Sequence, residues 1–317
     1  MLTRRLIRIK VFKLLFSYNY NRKITFSSID NELIKSCEAT LLLYYFILSL
    51  PVALKDVAKE KIEIGLKKYK PTPQERVPNR RFVENEIIQL IERSGERKRA
   101  LAEGGISWEN YLPFVKKLYA IISERDYFIE YMGYERLSHK RNIQLIVNIL
   151  QQELLESEEL DSLLEDLSLY WTDDLSFVVA TLSDLLFRIK DSKPLGLREP
   201  SLFFEEEDRG FALQLLNRAI ENFDSYQTII SEHLLNWKSE RVALSDLILI
   251  VMGITEAVHF PSIPIKVTIN EYVELSKYYS TPNSREFVNG LLDKIVATMM
   301  ERGDIRKSGR GLVGWED

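Results

Sequence analysis

Seven basic residues and no acid fall within the first 25 positions of this 317-residue chain: Arg4, Arg5, Arg8, Lys10, Lys13, Arg22 and Lys23. Guanidinium forks at that density can meet phosphate oxygens bidentately. The alternative is a basic N-terminus that is simply solvated. At the other end lies "STPNSREFVNGLLDKI", residues 280 to 295. Pro282 suits a first helical turn, and Thr281, Asn283 and Ser284 can all cap one. Phe287 sits one turn in, at the margin of the apolar stripe Val288, Leu291, Leu292, Ile295 and Met299. A half-exposed ring there could stack a base while the helix start receives phosphate; as a core aromatic it would do neither. Asn289 falls on the opposite face, and Gly290 would let a neighbouring backbone approach closely.

Other chemistries lack their residues. The chain has no Gly-rich phosphate loop, no H-E-x-x-H and no G-x-S-x-G, so no enzyme is expected. "FFEEEDRG" (203 to 210) reads as an acid-enriched helix start rather than a metal site. The single Cys37 rules out an internal disulfide and a cysteine zinc site, and His139, His233 and His259 have no ligand spacing. Neither metal nor cofactor is expected, and the compartment reads as reducing and cytoplasmic. Lys10 and Lys13 interrupt any signal-peptide core, although the acid-free start leaves a mitochondrial transit peptide open. The longest apolar run, 39 to 54, is shorter than the roughly 18 to 20 residues that span a bilayer and contains Pro51. It reads as a buried helix that kinks or ends at the proline. A net charge of −4 argues against a generic nucleic-acid binder. Charge is uneven, however: residues 153 to 174 hold nine acids and no base, which permits a basic site on an acidic body.

The elements that must position these residues read as helices throughout. Apolar spacings of three and four recur along the chain without sustained alternation, so the fold class is all-α. Helices are expected from about 3 to 20, as a pair around Pro51, and at 107 to 131, 138 to 156, 172 to 190, 207 to 237, 241 to 258, 268 to 279 and 283 to 302. Residues 67 to 81, with three prolines, and 193 to 200 read as loops, and 93 to 108 as a break. Thr268 and Glu271 have capping-box spacing. In the first helix Ile7, Val11, Leu14 and Tyr18 form one stripe and Ile9, Phe12 and Phe16 a second, with Lys10, Lys13 and Ser17 on the polar side. We expect one domain over 1 to 302, enlarged by an insertion around 60 to 210, and a flexible polar tail over 303 to 317.

"RRLIRIKVFKLLFSY" (4 to 18) together with "ERVALSDLILIVMGITEAVHFPSIPIKVTINEYVELSKYYSTPNSREFVNGLLDKI" (240 to 295) resembles the NusB family of transcription antitermination factors. The middle of the chain resembles it weakly, and the length matches an enlarged form. The resemblance implies two packed three-helix units that bind boxA RNA of nascent ribosomal transcripts, with the ribosomal protein NusE as partner within the RNA polymerase antitermination complex. It implies RNA contacts at Arg4, Arg5 and Arg8 and at Asn283, Ser284 and Phe287. It implies a NusE-facing surface at Phe16 and Asp246, the latter also able to cap its own helix.

Leu6 and Ile7 stand where many members keep polar or basic residues, and Asn283 where the family is often acidic. Losing a negative charge near phosphate should favour RNA. Two rivals remain: the NusB-like domain that precedes some RNA cytosine methyltransferases, whose Rossmann-like domain and cysteine motif are missing here, and a helical scaffold or rRNA-processing accessory protein without sequence-specific RNA binding.

Overall fold

The computed structural model describes residues 2–20, 26–191, 201–203, 206–234 and 242–313. Among them the only β feature is an isolated bridge between Leu2 and Phe203, so the all-α expectation holds. The chain divides into two compact units, one of Met1–Cys37 with Leu202–Asp317, the other of Glu38–Ser201.

The first unit holds α1 (Arg4–Tyr20) and the start of α2 (Phe26–Leu66). After the second unit it resumes with α11 (Glu206–Glu221), α12 (Phe223–His233), α13 (Leu244–His259), α14 (Ile265–Tyr279) and α15 (Ser284–Glu301). Helix α13 is its axis, packed by α1, α11, α12, α14 and α15 and buried almost all round from Ile248 to Ala257. Such all-round apolarity is what a central helix requires. Gly253 permits a close crossing: a Cβ built there would lie 2.7 Å from Leu292 Cδ2 and 3.4 Å from Tyr272. Gly290 has no such neighbour and is exposed, so close approach belongs to Gly253 instead.

Several boundaries differ from expectation for physical reasons. Helix α14 begins at Ile265, because Pro264 takes the N-cap place and its carbonyl accepts from Val267 and Thr268. Thr268 and Glu271 therefore lie inside the helix and form no capping box. The expected 207 to 237 helix is broken at Asn222, and residues 235–241 lie outside the described residues. The acid-rich start of α11 is as expected, with Glu206, Glu207 and Asp208 in its first turn. Lys10, placed on the polar side of α1, is buried and donates to Ser36 Oγ at 3.3 Å. Residues 303–313 lie against the turn after α13: Ser308 N donates to the Pro261 carbonyl at 3.0 Å, Lys307 Nζ to that of Phe260 at 3.0 Å, and Ile305 is buried.

The second unit continues α2 and adds α3 (Pro73–Arg76), α4 (Glu86–Arg93), α5 (Gly95–Glu103), α6 (Leu112–Glu124), α7 (Asp126–Gly133), α8 (His139–Glu153), α9 (Glu158–Leu167) and α10 (Leu175–Phe187). Helix α2 runs unbroken through Pro51 rather than forming two helices. One turn before the proline, the Phe46 carbonyl accepts from Ser49 Oγ and from Trp108 Nε1, partners outside the helical ladder. By length and composition α2 could cross a membrane, but 72% of its most apolar window is buried inside the protein, as in a core helix. Helices α5 and α9 fall where the sequence shows a break and an acidic string. Each is started by a serine cap, Ser94 Oγ accepting from Arg97 N and Ser157 Oγ from Leu160 N.

Candidate nucleic-acid interface

Helix α1 presents its arginines to acids of other helices. Arg4 Nε donates to Asp208 Oδ1 at 2.8 Å, and Arg5 makes two bonds of 2.9 Å to Glu271. Arg8 is buried and grips Glu256 through Nε and Nη2 at 2.7 and 2.8 Å, with Glu271 3.6 Å from its third nitrogen. Glu256, fully buried on α13, also accepts from Thr268 Oγ1 and Tyr272 Oη, both at 2.9 Å. Each carboxylate oxygen thus receives two donors, which fills its hydrogen-bonding capacity. Burial alone would lower the Arg8 pKa, but the bonds and charge of Glu256 more than offset it and hold the guanidinium charged. Burial, then the Glu256 charge, raises the Tyr272 hydroxyl well above its ordinary value, keeping it a donor.

This geometry differs from a solvated basic arm. Arg8 is enclosed and spent on Glu256, so it orders the start of α1 from within. Arg5 keeps 54% of its side chain exposed and Arg4 37%, so both guanidinium groups reach solvent, although the Asp208 carboxylate that Arg4 holds is itself buried. Both Arg4 and Arg8 also lie over the Phe211 ring, at 5.3 and 5.2 Å from its centre.

At the start of α15, Asn283 is exposed and makes no cap hydrogen bond, while Phe287 is half-buried. Ser284 is buried and donates to Asp246 Oδ2 at 2.8 Å, and its oxygen receives the Thr281 N–H at 3.1 Å. Ser284 therefore shapes the turn rather than facing solvent. The backbone N–H groups of Arg285 and Glu286 find no acceptor among the described residues, leaving the first turn open to an anion. Asn289 bonds Asp293 along the exposed face. Glu274 on α14 pairs with Lys277, whose hydrogen bond is the first cause of its lowered pKa; the charges of Lys277, Arg5 and Arg285 add to it. Arg285 is thus a basic residue beside this face that the sequence reading passed over. Its place after Ser284 gave no signal apart from charge.

Phe16 is 40% exposed, with its ring 6.2 Å from Phe12, which packs 5.1 Å from Tyr279. Asp246 is buried at the start of α13 and does not cap it, since Ala243 holds the N-cap place. Its Oδ2 serves Ser284, and its Oδ1 has no hydrogen-bond partner. Asp246 thus meets the 279 to 284 segment through Ser284, and Phe16 lies against Phe12, the ring that packs on Tyr279.

An all-α unit organised on one buried helix, with an arginine-rich helix start and an open helix N-terminus, defines a helical protein with a basic edge. A sequence model of the NusB family matches residues 188–297, which include α11 to α14 and most of α15. The chain is 38% identical over 108 residues to the transcription antitermination protein NusB of Salinibacter ruber, covering 34% of this chain and 68% of that protein. It is 39% identical over 123 residues to the protein of the same name from Chloroherpeton thalassium, covering 39% of this chain and 58% of that one. For the namesake of Geobacter sp. strain M21 the values are 32% over 125 residues, 39% and 86%. No solved structure matches the chain. The chain belongs to the NusB family.

Proposed function

We propose that this protein is a non-enzymatic, cytoplasmic transcription antitermination factor. In this reading it binds boxA-type RNA of nascent ribosomal transcripts together with NusE, within the RNA polymerase antitermination complex. The observation that carries the reading is the match of residues 188–297 to the NusB family, whose relatives are named transcription antitermination proteins. Arg4 and Arg5 take phosphates, Arg8 fixes the helix start behind them, and the open turn of α15 takes another phosphate while Phe287 receives a base. Asn283 adds a polar contact without charge, and Ser284 holds the turn in shape. Phe16 supplies an apolar contact to NusE. The unsatisfied Asp246 Oδ1 awaits a donor that a small movement of the turn and a partner would provide.

A second reading is favoured by one observation: all three arginines are already paired with carboxylates, as they would be in a helical scaffold without RNA. Salt dependence separates the two. The double variant Arg4→Gln/Arg5→Gln should flatten the slope of log affinity against log salt by about 1.4, at roughly 0.7 per phosphate lost. Circular dichroism should remain unchanged. A parental slope in a folded variant would assign both arginines to their internal carboxylates and leave the scaffold reading standing.

A further inference from the structure

The second unit carries a basic surface that the family reading leaves unused. Between α2 and α4, the segment "KKYKPTPQERVPNRR" (67 to 81) holds six Lys and Arg residues against one acid, in a chain of net charge −4. Exposed bases in a loop are usually only solvated charge. Here the backbone that bears them is fixed.

Thr72 and Glu75 form a complete capping box around α3, with Thr72 Oγ1 accepting from Glu75 N and Glu75 accepting from Thr72 N. Glu75 also binds Lys68 Nζ at 2.6 Å, and its Cγ lies 3.2 Å from where a Cβ on Gly65 would stand, which seats α3 against the end of α2. Asn79 Nδ2 donates to the Met132 carbonyl at 2.8 Å, and Phe82 beyond it is buried against Tyr119 and Phe128. On this frame Lys67, Lys70, Arg76 and Arg80 are exposed and have no carboxylate partner among the described residues. Tyr69, between Lys68 and Lys70, is 96% exposed with no ring neighbour. A tyrosine that buries nothing contributes nothing to folding. Unpaired cations around a bare aromatic ring are the combination that tracks a single-stranded backbone and stacks a base.

We propose that residues 67–81 form a second nucleic-acid contact, independent of the boxA reading. Lys67, Lys70, Arg76 and Arg80 take backbone phosphates and Tyr69 stacks one base, without sequence preference. The ligand chemistry is single-stranded polynucleotide. An acidic protein would use the same cations but has no use for the bare ring.

The test uses the full chain with fluorescein-labelled oligouridylate and oligothymidylate of roughly 16 nucleotides, neither containing boxA. The fourfold Gln variant Lys67→Gln/Lys70→Gln/Arg76→Gln/Arg80→Gln should flatten the log affinity versus log salt slope by about 2.8. Tyr69→Ala should bind about tenfold more weakly and Tyr69→Phe like the parent, both with unchanged circular dichroism. Equal affinity for the two oligonucleotides supports the contact and assigns it to base and phosphate; preference for oligouridylate supports it and adds the ribose hydroxyl. Because Arg4 and Arg5 would hold phosphates of any strand, the substitutions at 67, 70, 76 and 80 are measured both in the parent and in the Arg4→Gln/Arg5→Gln background; the same flattening in both assigns it to residues 67–81 whether or not the boxA site exists. Parental affinity and slope in both the Gln variant and Tyr69→Ala would overturn the proposal. So would a result in which the fourfold Gln variant loses binding of polyglutamate, titrated as the acidic-protein probe, while keeping parental oligonucleotide binding, which would assign the surface to an acidic protein.

Discussion

Arg8→Ala should lower the unfolding free energy by about 3 to 5 kcal/mol, the range for removing one partner of a buried ion pair. The cause is what remains behind. Glu256 is fully buried with four donors, and the substitution takes away both charged ones, leaving a carboxylate with only the Thr268 and Tyr272 hydroxyls. Arg8→Met should lose a similar amount, and adding Glu256→Leu to it should recover much of the loss, because two apolar side chains impose no unpaired charge. Recovery should stop short of parental stability, since the two hydroxyls then lack their acceptor. Urea unfolding of the two single replacements and the double one reads the coupling directly. A loss below about 1 kcal/mol for Arg8→Ala would show that the pair does not anchor α1.

The second large effect is expected at Phe287. Phe287→Ala should weaken boxA RNA binding by about 1 to 3 kcal/mol if the ring stacks on a base. The residue is half-buried, so part of any change passes through stability, and a fully buried Phe would lose about 3 to 5 kcal/mol of folding free energy on truncation. Phe287→Tyr and Phe287→Leu separate the two contributions, because Tyr keeps a stacking face and Leu keeps only apolar bulk. Stacking requires Tyr to bind nearly as the parent does and Leu to bind poorly, with both folded. Leu binding as tightly as the parent would place Phe287 in the core alone.

The helical class and the edges of α1 and α15 were legible because apolar period and end signals coincide there: Arg4–Tyr20 and Ser284–Glu301 lie within a residue or two of their expected spans. Helix α5 was not, since its signal is a single serine cap without an apolar stripe; in α9 the helical spacing of Leu160, Leu163, Leu164 and Leu167 was present but lay within an acidic string that reads as solvated charge. The Thr268 and Glu271 spacing misled for an instructive reason. Pro264 starts the helix earlier, and both side chains answer to residues far away, Glu256 and Arg5.

Distance in sequence also hid the state of the arginines. Their carboxylates stand 204, 266 and 248 positions from Arg4, Arg5 and Arg8, so no local pattern could announce them. The same holds for Asp246. Read locally it is a cap, whereas the fold sends it to Ser284, 38 positions on. Residue types and family motifs located the candidate face; only packing showed which of its charges are exposed and which are spent.

The central claim is tested most directly by titrating the full chain with a boxA-type oligonucleotide and a scrambled one of equal composition, each with and without NusE. The account predicts that boxA binds more tightly by about tenfold or more, equivalent to at least about 1.4 kcal/mol. It also predicts that NusE strengthens binding of the boxA strand and leaves the scrambled one unchanged. Equal affinity for both strands, whether or not NusE is present, would contradict it.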